Sequence, residues 1–142
     1  MLKPYSLYMS LGTLPFIGMC FLVLLEKGDL NIKFIQAFNA YGFMIFSFML
    51  GSYWGLLVDK KDNTSQHWYF LISNSLAVLA WILYLFLNNL YWSLFLVSGF
   101  ILLVLIDYNM LKNSIIPEHY FKQRCIITFI VCISIIIVGH TL

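Results

Sequence analysis

The stretch FSFMLGSYWG, Phe46–Gly55, holds no charge and spaces Ser47, Gly51 and Gly55 four residues apart among aromatic and aliphatic side chains. Residues four apart share one face of a helix, so these three form a strip with almost no side chain, along which a second backbone gains dispersion contacts by close approach. The spacing predicts helix packing through Ser47, Gly51 and Gly55, with Ser73, Ala77 and Ala80 as a facing strip further along the chain. The alternative use of such glycines is to open room for a bound cofactor or lipid, with Tyr53 and Trp54 as walls.

Composition extends the same reading to the whole chain. Its 142 residues are 62% hydrophobic, 18% aromatic and 10% charged, with a mean hydropathy of +0.90; soluble domains carry about 25% charged residues. This is the composition of an integral membrane protein. Five apolar segments, about 5–25, 34–58, 68–87, 90–111 and 117–140, are close to the ~20 residues that cross a hydrocarbon core of ~30 Å. EKGDLNIK and DKKDNTSQ separate the first three, and the two-residue turn Asn88-Asn89 forces the third and fourth into an antiparallel hairpin. Pro117 suits the first turn of the fifth helix, and Glu118 the positive end of its dipole. The expected fold is therefore all-α: a single transmembrane domain of five helices, with no polar block long enough for a soluble domain. Pro15 removes one backbone donor from the first span, where it is expected to bend the helix as a packing adjustment. That span is not expected to be a cleaved leader, since it exceeds the usual apolar region of ~7–15 residues and lacks a small-x-small site.

Basic residues set the expected orientation. Lys3, Lys60, Lys61, Lys112, Lys122 and Arg124 fall on the N-terminal side, against Lys27 and Lys33 on the other, which predicts a cytoplasmic or matrix-side N-terminus and a C-terminus on the far side. Trp54, Trp68 and Tyr69 at one boundary and Tyr91 and Trp92 at the other read as interfacial belts, while Trp81 reads as packing on a neighbouring helix or lipid. The net charge of +2 calls for no nucleic-acid partner; its positive charges face the anionic inner leaflet.

Polar residues near the spans are few. Asp107 near the end of the fourth helix and Arg124 near the start of the fifth each carry the sign their own helix dipole disfavours, so an ion pair with bidentate hydrogen bonds is expected to pin that hairpin. Tyr120, four residues before Arg124, shares its face and completes the expected cluster, which serves as a structural clamp or a binding site. Asn39 and Asn74 are the residues expected to enter the bundle and bond across helices. His67, His119 and His140 show no ligand spacing, so no metal and no haem or other cofactor is expected. Cys20, Cys125 and Cys132 contain no CxxC, and the last two, seven apart on one helix, lie about 10 Å apart and read as apolar fillers. No serine has a nearby general base, so no catalytic residues are assigned and no enzyme is expected.

SLGTLPF (10–16), AYGFMIFSFMLGSYWG (40–55), LAVLAW (76–81) and SGFILLVLIDYNMLKNSIIPEHYFKQR (98–124) together resemble the successive blocks of a small membrane-protein family. That family is known only as a domain of unknown function in bacteria and includes the mitochondrial transmembrane protein 69. The resemblance implies five helices in a bacterial or mitochondrial inner membrane and supplies no reaction. Many members have histidine before the tryptophan where this chain has Tyr53, so no role that needs an imidazole carries over to that position.

The function this predicts is a non-catalytic accessory, assembly or scaffold protein of a membrane complex, with membrane lipids and other membrane proteins, or itself, as partners. The alternative is a small oligomeric transporter, channel or lipid-handling protein. A continuous polar cavity around Asn74 and Asp107 would mark the second, and a tightly packed bundle with an apolar flank the first.

Overall fold

The computed structural model describes residues 4–58 and 64–141. They form five helices, α1 (Pro4–Leu25), α2 (Asp29–Leu57), α3 (Thr64–Phe86), α4 (Asn89–Lys112) and α5 (Glu118–Gly139), with no strand among the described residues. All five are long and apolar enough to cross a membrane, which makes this a multi-pass membrane protein. Hydrocarbon offers no hydrogen-bond partner to a peptide group, so each span satisfies its backbone within its own helix. Lys3, Lys60 and Lys61, used above for orientation, lie outside the described residues.

Two helices begin earlier than hydropathy alone places them. α2 starts at Asp29 because the reversal after α1 needs only a short turn: Gly28 takes φ 116°, and the Asn31 amide donates to the carbonyls of Val23 and Glu26, capping the end of α1. Asp29 in the first turn favours the positive end of the α2 dipole. α3 starts at Thr64, and the Gln66 amide ties it to the Leu57 carbonyl at the end of α2. Asn88 caps α4 by accepting from the Tyr91 N–H at 3.1 Å, so the Asn88-Asn89 turn is as short as its sequence suggests. Pro15 stands inside α1, which continues as helix through it.

α1, α2, α4 and α5 close into a ring, each packing on the next, and α3 lies outside it, chiefly against α2. The core of the ring draws on Phe16 from α1, on Phe38, Phe46 and Leu50 from α2, and on Leu96, Phe100 and Leu103 from α4, all essentially inaccessible. Phe46 meets Phe95 and Phe100 edge-on, with ring centroids 5.9 and 5.6 Å apart. α3 is held by two parallel stacks on α2, Trp54 on Phe70 at 4.3 Å and Phe43 on Tyr84 at 5.3 Å.

The glycines that let helices approach are not those of the small-residue strip. A Cβ at Gly99 would lie 2.7 Å from the Phe46 ring, one at Gly42 2.8 Å from Leu96 Cδ1, and one at Gly139 2.7 Å from Ser93, so these three set the α2–α4 and α4–α5 separations. At Gly51 and Gly55 a Cβ would meet nothing within 4 Å, and both residues are exposed; Ser47 is half-buried. Among the described residues, the packing expected of Ser47, Gly51 and Gly55 is therefore absent. The physical reason is rotation: α2 turns its seam of Phe38, Gly42, Phe46, Leu50, Tyr53 and Leu57 inward, which points the strip outward. Ser73 and Ala80 on α3 are buried, but no side chain of α3 comes within 4 Å of a Cβ at Gly51 or Gly55, and the ring contacts of α3 with α2 run through Trp54 and Phe43.

Two interfacial aromatics also sit elsewhere than expected. Trp92 is 2% exposed, wedged between Tyr84 and Phe95, and Tyr69 is buried. Trp54, Trp68, Tyr91 and Trp81 remain on the outside.

Gly99→Leu should overpack the Phe46 contact and lower stability by about 1–3 kcal/mol, read as a fall in melting temperature in detergent. Gly51→Leu should leave the melting temperature unchanged in the same assay.

Candidate functional site

Antiparallel neighbours bring the end of one helix level with the start of the next, and this places the strongest polar groups together. Tyr53 lies four residues before the end of α2, Asp107 five before the end of α4 and Arg124 six after the start of α5. At a rise of ~1.5 Å per residue all three stand about 6–9 Å inside the same end of the bundle. Asp107 is 2% and Arg124 3% exposed.

Arg124 Nε lies 3.4 Å from Asp107 Oδ2, and the Tyr53 hydroxyl donates to Asp107 Oδ1 at 2.9 Å, with the Leu103 carbonyl at 3.3 Å as a second acceptor. The carboxylate is thus held from α5 on one side and from α2 on the other. The guanidinium uses a single nitrogen, where a bidentate pair was expected. Among the described residues it donates no hydrogen bond, so its other N–H groups have no protein acceptor. An ion pair so deeply buried stabilises a fold only in the sense that losing one member leaves the other uncompensated.

Tyr120, expected as the third member, is half-buried one turn nearer the start of α5. The group that grips Asp107 is Tyr53, expected from sequence as the wall of a glycine groove and not as a partner of Asp107. A signal for it existed: Tyr53 continues the 3–4 spacing of Phe46, Leu50 and Leu57, and it alone of these carries a hydroxyl.

A second polar tie joins the same three helices towards their opposite end. Asn39 donates its amide to Asn89 Oδ1 at 2.8 Å, and Asn89 donates to the Val138 carbonyl at 2.9 Å, linking α2, α4 and α5. Asn39 bonds across helices as its position suggested. Asn74 does not: it stands near the middle of α3, exposed, in a shallow depression with Ser75, Val78 and Ile82, and makes no hydrogen bond among the described residues. It is therefore not part of a polar cavity with Asp107. Asn109 provides the polar link between α4 and α3, donating to the Tyr69 hydroxyl at 2.9 Å.

His67, His119 and His140 are all exposed, Cys20 is buried, and Cys125 and Cys132 are half-buried. Among the described residues no three His, Cys, Asp or Glu side chains gather as a metal site would require.

Short turns, spanning-length helices, one buried ion pair and one half-buried asparagine tie make this a small multi-pass helical bundle whose polar side chains hold helices together. The chain belongs to a family of proteins of unknown function, DUF3429, whose model matches residues 2–139. No curated protein and no solved structure matches it.

Asp107→Asn should strand the Arg124 charge and cost about 3–5 kcal/mol, seen as aggregation or early melting after extraction. Adding Arg124→Gln should recover most of that loss. Tyr53→Phe should cost about 1 kcal/mol, the worth of one buried hydrogen bond.

Proposed function

We propose that this protein is a non-catalytic accessory, assembly or scaffold subunit of an inner-membrane complex, bacterial or mitochondrial, and that it joins its partner through the outer face of α3. The observation that carries this reading is Asn74, a carboxamide near the middle of a spanning helix that faces away from its own bundle. In hydrocarbon such a group lacks hydrogen-bond partners, and polar side chains at this depth act as glue between helices.

The surroundings suit a helix–helix seam. Leu71, Asn74, Val78, Trp81 and Leu85 follow alternating spacings of three and four, all exposed, which is the pattern of a coiled-coil stripe with one polar position to set register. The outward strip of Ser47, Gly51 and Gly55 on α2 offers a second surface on which a foreign helix can approach closely. The partner this fits is a transmembrane helix of another protein with a hydrogen-bonding side chain at mid-depth. The excess of basic residues on the N-terminal side supports a cytoplasmic or matrix-side N-terminus.

Gentle solubilisation of a tagged copy at native expression, followed by native mass spectrometry, should release a stoichiometric complex with a second membrane protein. A photocrosslinker at Val78 should label that protein. Asn74→Leu should weaken the association by about 0.6–2 kcal/mol, roughly threefold to thirtyfold, without changing the protein's own melting temperature. Recovery of a lone protomer or a homo-oligomer, or indifference to Asn74→Leu, would overturn the accessory reading.

A further inference from the structure

Inside the ring of α1, α2, α4 and α5 lies a cavity of about 390 Å³, within the ~300–1,000 Å³ usual for ligand sites. Its walls change character along the helix axes. Tyr8, Ser52, Tyr120 and Arg124 line it near the end of the bundle where α1 begins, and Phe16, Ile45, Phe100, Ile127 and Val131 line it deeper in. From Tyr120 to Val131 the cavity follows α5 for about 16 Å at ~1.5 Å per residue. Tyr8 and Phe48 line it and are also largely exposed, at 71% and 73%, so it opens sideways between α1 and α2 towards the lipid.

Arg124 gives this cavity its chemistry. It is 3% exposed, its Nε is the nitrogen that approaches Asp107, and the rest of a planar guanidinium built for oxyanions has no acceptor among the described residues. A positive group with spare donors at the interfacial end of an apolar, laterally open slot is complementary to an amphiphile with an oxyanion at its head and a hydrocarbon tail. We propose that the cavity binds one membrane phospholipid, its phosphate on Arg124 and one acyl chain running inward past Phe16, Phe100 and Val131. A phospholipid is the occupant because the slot opens into the bilayer, where that molecule is the solvent. The site is independent of the α3 face.

Gly12 supplies a clean test. It lines the cavity, and a Cβ there would meet nothing within 4 Å, so Gly12→Leu fills the slot without touching the Asp107–Arg124 pair. The purified full chain would be exchanged into detergent containing phosphatidylglycerol, dioleoylglycerol (similar tails without the phosphate) or oleate, and examined by native mass spectrometry. The wild-type protein should retain one phosphatidylglycerol, with at least tenfold lower occupancy by dioleoylglycerol and by oleate. Gly12→Leu should keep its melting temperature and lose at least tenfold of the phosphatidylglycerol occupancy. Asp107→Asn combined with Arg124→Gln should fold and bind phosphatidylglycerol no better than dioleoylglycerol. Equal retention of dioleoylglycerol by the wild type would show a hydrophobic slot without a phosphate site, and preferred retention of oleate would assign the oxyanion to a fatty acid. Either result, undiminished binding by Gly12→Leu, or a surviving phosphate preference in the double variant overturns the proposal.

Discussion

A charged side chain buried within a membrane bundle is costly unless a partner lies in contact with it, and Asp107 and Arg124 supply that partner to each other at 3.4 Å. The requirement acts on geometry before it acts on stability. Turning α4 or α5 by one residue, about 100°, would swing one charge out of the pair and into lipid, so the rotation of both helices is set. Tyr53 extends the constraint to α2 through its bond to Asp107. With α2 rotated to present Tyr53, its other inward positions include Gly42, Phe46 and Leu50, and the Gly99 contact with Phe46 falls into place. The Asn39–Asn89–Val138 tie holds the same three helices near their other end.

This arrangement separates the polar groups by role. Inside the ring, Tyr53, Asp107 and Arg124 answer one another at one end and Asn39 and Asn89 towards the other, while part of Arg124 faces the cavity. Asn74, left outward, makes no hydrogen bond among the described residues. A bundle with short loops acts chiefly through what it presents sideways to the membrane. That is why the functional reading rests on the α3 face and the lipid slot on the opening between α1 and α2.

Much of the fold was legible in the sequence because each span must bond its own backbone, and hydropathy reports that requirement directly. The Asp107–Arg124 pairing was legible for a related reason: two opposite charges on adjacent antiparallel helices, each at the wrong end of its dipole, have one economical arrangement. Rotation about each helix axis was not legible. An α2 that is apolar on every side gives no amphipathic signal, so Gly51 and Gly55 looked as suitable for packing as Gly42, and Asn74 looked as suitable for the interior as Asn39. Volume was invisible too. The room between α1 and α2 arises where large residues such as Phe48 and Tyr8 point outward, which no spacing of residue types discloses.

The contact from which the rest follows can be measured alone, because Arg124 is the chain's single arginine. Protein labelled with nitrogen-15 in arginine and carbon-13 in the aspartate carboxyls would be reconstituted in bilayers, and the dipolar coupling between the arginine Nε and carboxyl carbon followed by rotational-echo solid-state NMR. Strong dephasing of the arginine signal, lost in Asp107→Asn, is the result expected of a direct ion pair. An arginine signal without dephasing would contradict the pair, and with it the rotations of α2, α4 and α5 that depend on it.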